Sequence, residues 1–382
     1  MFSLKLDELQ EEIISVARNF AQEEILPSVI DRDRNAVFPK EIMRQLGELG
    51  FMGMMVSEDY GGSGMDTLTY SMVIEEIAKV DASVAVVMSV QNSLVNWILE
   101  SFGNEEQKQK YLVPLASGEH IGSYCLSEPE AGSDARDQNT LAIKKDGKWI
   151  LNGTKNWITS ADNADTLIVF AQTNHELKHK GIACFVFPAD TPGVDIGLKE
   201  DKMGLRSSDT CEVGLNDVVL DDTHLISEVG QGFYIAMKGL TGGRIGIASQ
   251  ALGIAQGALD LSLKYSGERK TMGTEIYNHQ AIQFKLAQMS MKISAARGLV
   301  QKAAWMRDNK IDCNRESSEA KLFASTIANE ITREAVQIHG GYGYVREYHV
   351  ERMMRDAKVT EIYEGTSEIQ HIVIARDLIK NM

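Results

Sequence analysis

Two changes of hydrophobic period divide the 382 residues and constrain the fold more than any single motif. Up to about residue 118, apolar residues recur at helical spacing. Between Ile121 and Leu220 they come as short β-branched and aromatic runs, WILNGTKNWITS, TLIVFAQT, GIACFVF and TCEVGLNDVVL, parted by Gly, Asn and Asp. From Gly230 the helical period returns and persists to the end. A helix keeps its apolar residues on one face and a strand alternates them, so neither pattern can serve as the other. The expectation is a mixed α and β fold in three parts: an N-terminal helical domain (1–118), a compact, barrel-like β domain (119–229) and a C-terminal helical bundle (230–382).

Within the first part, Leu4, Leu6, Leu9, Ile13, Val16, Ala17 and Phe20 follow helical spacing, and Pro27 is expected to close the segment. A second helix is expected near Pro39, with Ile42, Leu46 and Leu49 inward and Gly50 near its end. The segments Thr67 to Lys79 and Ser83 to Phe102 are too apolar for surface helices and are expected to line a core or a ligand cavity. No uninterrupted apolar run reaches about 20 residues, so no transmembrane span is expected. The N-terminus has neither a signal-peptide core nor a transit pattern. The four cysteines contain no C-x-x-C pair, which suits reduced thiols in a cytoplasmic setting. A net charge of −15 argues against nucleic acid as a partner, since that needs a basic footprint.

The chemistry concentrates in a few segments. DAKVTEIYEGTSEIQH carries Glu364 between Tyr363 and Gly365, just ahead of a helix whose start is marked by an S-x-x-Q capping box, Ser367 and Gln370. Ile369, Ile372, Val373 and Ile379 give that helix an apolar face. A lone loop Glu is most often solvated, but this one lies close to free helix N–H groups that could receive a carbonyl oxygen or an anion. YCLSEPEAGSDA holds Tyr124, Leu126, Ser127, Gly132 and Ser133 in a turn rich in donors for a heterocycle or phosphate. NWITS sets Trp157 and Thr159 on one strand face and Ile158 on the other. GERKTMG supplies Arg269 and Met272, NHQAIQ supplies Gln280, and QIHGGYGY supplies Gln337, Gly340 and Gly341. Arginine suits a diphosphate, and paired glycines let backbone N–H groups approach its oxygens. GLTGGRIG places Thr241 and Arg244 in a helix whose glycines are locally costly, a sign of close packing or close ligand approach.

Taken together, these segments, in this order over essentially the whole chain, resemble the acyl-CoA dehydrogenases. The resemblance implies that family's fold and FAD as cofactor. Glu364 falls on the catalytic base. Tyr124, Leu126, Ser127, Gly132, Ser133, Trp157, Ile158, Thr159, Arg269, Met272, Gln280, Gln337, Gly340, Gly341, Thr366 and Glu368 fall on FAD-contacting positions, some serving a neighbouring subunit's FAD. Ser133, Thr241, Arg244 and Gly365 fall on substrate positions. In the long-chain and isovaleryl branches the base stands just before this arginine; that position is Gly243 here, which leaves the duty to Glu364. RIGIASQALGIAQGALD looks most like the short-chain (butyryl-CoA) branch.

The function implied is α,β-dehydrogenation of a short acyl-CoA to the trans-2-enoyl-CoA, with electrons passing to an electron-transfer flavoprotein and a homotetramer as the assembly. A medium, branched or unusual acyl-CoA and an acyl-CoA oxidase are the alternatives within the fold. From another class, His175-Glu176-Leu177-Lys178-His179 fits the H-E-x-x-H of a zinc hydrolase. It lies between two strand-like runs that leave about seven residues, too few for the helix that would put both histidines on one face. No metal site is expected.

Overall fold

The structure, a computed structural model, describes residues 6–382, so Leu4 lies outside the described residues. Asp7 caps α1 (Glu8–Phe20) with a reciprocal capping box to Gln10. Pro27 does not close this segment. A π turn (Ala21–Ile25) and a 3-10 turn (Leu26–Ser28) carry the chain into α2 (Val29–Asn35). Pro27 sits in the first turn of that continuation, where a missing N–H costs nothing, and Ala36 ends the run at φ 51°. In α3 (Lys40–Glu48) Ile42 and Leu46 are buried as expected. Leu49 falls just past the helix and is 40% exposed.

Asp66 and Asp81 cap α4 (Thr67–Ala78) and α5 (Ala82–Ser89). A π segment (Val90–Asn96) joins α5 to α6 (Trp97–Phe102). By length and composition the run Ala82–Phe102 could cross a membrane, but 89% of its most apolar 18-residue stretch is buried inside the fold. That is the position of a core helix. Short α7 (Glu105–Gln107) and α8 (Val113–Ala116) complete the helical part.

Strands β1 (Gly122–Cys125), β2 (Leu141–Lys145), β3 (Lys148–Thr159), β4 (Thr166–Gln172), β5 (Ile182–Pro188), β6 (Val194–Ile196), β7 (Thr210–Leu220) and β8 (Leu225–Ile226) form one eight-stranded sheet. Its order is β6-β7-β3-β2-β4-β5-β8, with β1 branching off in parallel beside β4. Trp149, Leu151, Val169, Phe185 and Val218 build its own core, separate from the helical one. The segment after β4 disposes of the H-E-x-x-H reading: His175–Gly181 is a 3-10 turn broken at Lys178 (φ 53°, ψ −136°), so His175 and His179 do not share a helical face.

The C-terminal part is a bundle of α9 (Gly232–Glu268), α10 (Gln280–Asp308), α11 (Asn314–His339), α12 (His349–Val359) and α13 (Ser367–Lys380). The 37 residues of α9 make it about 55 Å long. It touches α4, α5, α10, α11 and α12. Its glycines explain how so many neighbours fit: a Cβ on Gly253 would stand 2.4 Å from the Glu75 carbonyl oxygen, and one on Gly257 2.4 Å from that of Lys79. These glycines trade helix propensity for backbone contact.

Gly253→Ala tests which term wins. Propensity alone would favour Ala by about 1 kcal/mol, but overpacking against the α4 backbone costs about 1–3 kcal/mol. The expected result is a lower thermal midpoint; a higher one would mean that α4 yields.

Candidate active site

Glu364 stands in the turn between α12 and α13, and its backbone is left-handed (φ 54°), as is that of Gly365 (φ 87°). A non-glycine residue in that region is uncommon and must be held there by its surroundings. The hold comes through carbonyls. Gln370 Nε2 donates to the Glu364 oxygen at 3.1 Å and to the Gly365 oxygen at 2.8 Å, and Lys321 Nζ donates to the Gly365 oxygen at 2.8 Å. This corrects the capping-box expectation. Thr366 is the N-cap of α13, Ser367 is already inside the helix, and Gln370 braces the preceding turn instead of the cap N–H. Among the described residues the Glu364 N–H makes no hydrogen bond.

The carboxylate faces α9. A Cβ on Gly243 would lie 2.7 Å from Glu364 Oε2, so the space beside residue 243 is the space the carboxylate fills. Oε2 is enclosed and has no hydrogen-bond partner among the described residues. Burial therefore pushes Glu364 up to about 7, against the opposing charges of Arg244 and Lys321. Arg244, 5% exposed, is held by α11 through Asn314 Oδ1 (2.8 Å) and Ser318 Oγ (3.4 Å). Thr241 stands on the same helix, its hydroxyl donating to the Met237 carbonyl. From the sheet, the Tyr124 hydroxyl donates to the Ala236 carbonyl of α9, and the Glu364 charge reaches its ring. Thr241, Arg244, Glu364, Gly365 and Tyr124 are thus brought to one corner.

On the sheet side, the register of β3 against β7 shifts between Lys155 and Ile158. Trp157 takes φ 62° there and turns its indole outward, 60% exposed, while Ile158 stays in the core. Leu126 and Ile158 are buried, and their side chains pack in the core. Gly132 and Ser133 lie on an exposed loop, and Gly132 has open space where a Cβ would be. A fully buried ion pair anchors this loop: Lys155 Nζ lies 2.7 Å from Glu128, whose carboxylate also accepts from the Asn139 and Thr140 N–H groups. Lys155 donates besides to the Leu126 carbonyl.

A third group stays apart. Arg269, at the far end of α9, lies about 37 Å along the helix from Arg244. Its guanidinium sits over the Tyr342 ring, beside Gly340 and Gly341, where a Cβ would meet nothing. Met272 (96% exposed), Gln280 and Gln337 are likewise on the surface. The structure does not bring these residues to the Glu364 corner of the same chain.

Family models for the acyl-CoA dehydrogenase N-terminal, middle and C-terminal domains match residues 7–119, 123–218 and 230–379. The chain belongs to the acyl-CoA dehydrogenase family. It is 45% identical to the mitochondrial short-chain specific acyl-CoA dehydrogenase of Mus musculus, over 99% of this chain and 92% of that protein. Butyryl-CoA dehydrogenase from Megasphaera elsdenii superposes with a TM-score of 0.97 at 44% identity, covering 99% and 100% of the two chains. A chain from a structure describing the electron transferring flavoprotein of Acidaminococcus fermentans and flavin-based electron bifurcation gives 0.98 at 44%, again over 99% and 100%.

Motif reading found the base segment but missed what holds it. Lys321, Asn314 and Ser318 were not singled out, because α11 begins NRESSEAK, where nearly every residue is polar and these three do not stand out. Glu128 and Lys155 were missed as well, because they stand 27 positions apart with β2 between them. Removing one partner of a buried pair leaves the other charge uncompensated. Lys155→Met should therefore cost about 3–5 kcal/mol, read as a lower unfolding midpoint and faster proteolysis between residues 126 and 140. An unchanged midpoint would show that the pair is not what anchors the loop.

Proposed function

We propose that this protein is an FAD-dependent acyl-CoA dehydrogenase that oxidises a short, butyryl-sized acyl-CoA to its trans-2-enoyl-CoA, with Glu364 as the base that removes the α-proton. One observation carries the assignment of the base: a carboxylate whose Oε2 is enclosed without a hydrogen-bond partner, raised to about 7, in a turn whose own N–H is unengaged among the described residues. A thioester α-proton is a very weak acid. Removing it requires a base of near-neutral affinity and a donor to the thioester oxygen, where negative charge develops. The Glu364 side chain supplies the first and its N–H the second. Arg244 opposes the protonation that burial favours, while Gly243 leaves the carboxylate room.

The residues present fit FAD. The hydroxyls of Ser127, Ser133 and Thr159 have no protein partner among the described residues, and the outward indole of Trp157 offers an apolar plane. When bound, FAD supplies the acceptor for the hydride that leaves the β-carbon. Tyr124, Leu126, Ser127, Gly132, Ser133, Trp157, Ile158, Thr159, Thr366 and Glu368 would hold it in one subunit. Arg269, Met272, Gln280, Gln337, Gly340 and Gly341 would serve the diphosphate and adenine of a neighbouring subunit's FAD. The distance along α9 supports that division, because it exceeds the span of one extended dinucleotide. Exposed Tyr344, Ile379, Met291 and Phe284 further support a covered surface, and we propose a homotetramer. Electrons pass to an electron-transfer flavoprotein. Four buried free cysteines accord with a reducing, cytoplasmic compartment. We keep the boundaries 1–118, 119–229 and 230–382 as the functional division of the chain.

The first test is an absorbance spectrum of the purified protein before and after anaerobic butyryl-CoA. Bleaching with a long-wavelength band is expected. A flavin spectrum that butyryl-CoA leaves unchanged would move the substrate to longer or branched acyl groups. Glu364→Gln should retain FAD and bind acyl-CoA yet lose nearly all turnover; turnover within about threefold of wild type would remove Glu364 as base. Because the base must be ionised, kcat/KM should fall as pH drops through about 7, approaching tenfold per unit below it. A flat profile from pH 5 to 8 would contradict the assignment.

A further inference from the structure

The reaction just described leaves one buried cation without a task. Lys321 is completely buried in α11, one helical face along from Asn314 and Ser318, which hold Arg244. A single face of α11 therefore supplies one positive charge of the Glu364 corner and holds the other, Arg244 of α9, in place. The Lys321 ammonium ends on the Gly365 carbonyl at 2.8 Å, the same oxygen that Gln370 already reaches at 2.8 Å. A neutral amide thus satisfies that carbonyl at the same distance. Burying an ammonium beside it is costly, and the cost is visible: desolvation pulls Lys321 down to about 8. Since the hydrogen bond alone does not need a lysine, the charge is what distinguishes it.

We propose that Lys321 is a positioning residue for the base: its buried ammonium locks the left-handed Glu364–Gly365 turn through the Gly365 carbonyl and favours the ionised carboxylate against Gly243. The proposal rests on Glu364 being the base. The charged and titratable groups around it are few. Arg244 on α9 and Lys321 on α11 act on Glu364. Glu361 and Glu368, on either side of the turn, act on Lys321 together with Glu364 and Arg244. Tyr70 of α4, Tyr124 of β1 and Tyr363 sense the Glu364 charge and stay neutral, each raised by burial. Removing Lys321 leaves Arg244, among the described residues, as the cation acting on the carboxylate, so its proton affinity must rise and its ionised fraction at neutral pH must fall.

The experiment is the pH profile of kcat/KM for butyryl-CoA in three FAD-loaded variants. Lys321→Met removes both charge and hydrogen bond. Lys321→Gln can keep a neutral donor and serves if the methionine variant fails to retain FAD. Gln370→Met removes the neutral donor and keeps the charge. Both lysine variants should move the acid limb upward by about one pH unit. Gln370→Met should lower kcat, by up to about 100-fold if the base is misplaced, and leave the limb where it is. An unmoved limb in a lysine variant that still binds FAD and bleaches with butyryl-CoA would overturn the proposal. If Glu364→Gln were itself active, the base assignment would fall first; an inactive Glu364→Gln beside an unmoved lysine limb would sink this inference alone.

Discussion

The molecule depends on the close approach that α9 makes to everything around it. The helix packs on α4, α5, α10, α11 and α12; at Gly253 and Gly257 it comes up against the backbone at the end of α4, and at Gly242, Gly243 and Gly246 it leaves room for side chains from other elements. At Gly246 the volume of a Cβ is taken by Ser89 and Tyr70, at Gly242 by the Arg307 guanidinium, and at Gly243 by the Glu364 carboxylate. The same lack of side chains that lets the helices pack also opens the space in which the base sits. Packing and chemistry are therefore one constraint at this point, and a substituent on that face of the helix bears on both.

Around that space the electrostatics are unbalanced in a useful way. One enclosed carboxylate meets two buried cations, and burial still outweighs their combined attraction, so Glu364 settles near neutrality instead of in the ordinary carboxylate range. Its turn is held by carbonyl oxygens and leaves the Glu364 N–H unengaged. The backbone strain of a left-handed glutamate is sustained by those bonds. The sheet contributes from the other side through Tyr124, the outward Trp157 and the loop fastened by Lys155 and Glu128.

Much of this was legible in the chain. The two changes of period identified the helical, β and helical parts, and the strings around Glu364, Arg244 and Trp157 pointed to the family. Local readings failed where long-range contacts decided. Pro27 opens a continuation instead of ending a helix. Leu49 lies outside its helix. Gln370 turns back to the turn before its helix, because its side chain finds two carbonyls there. Ile372 and Ile379, on the apolar face expected of α13, stay 41% and 69% exposed on the single chain.

What the sequence by itself determined is the order of elements, the residue types available for chemistry and the family, because these rest on local periodicity and on contiguous motifs. Only the tertiary structure decided which cations face Glu364, how far burial lifts it, and that the Arg269 group stands too far along α9 to share its corner. Those properties arise from side chains remote in sequence meeting in a low-dielectric space. Neither their distance nor their desolvation is encoded at any one position of the chain.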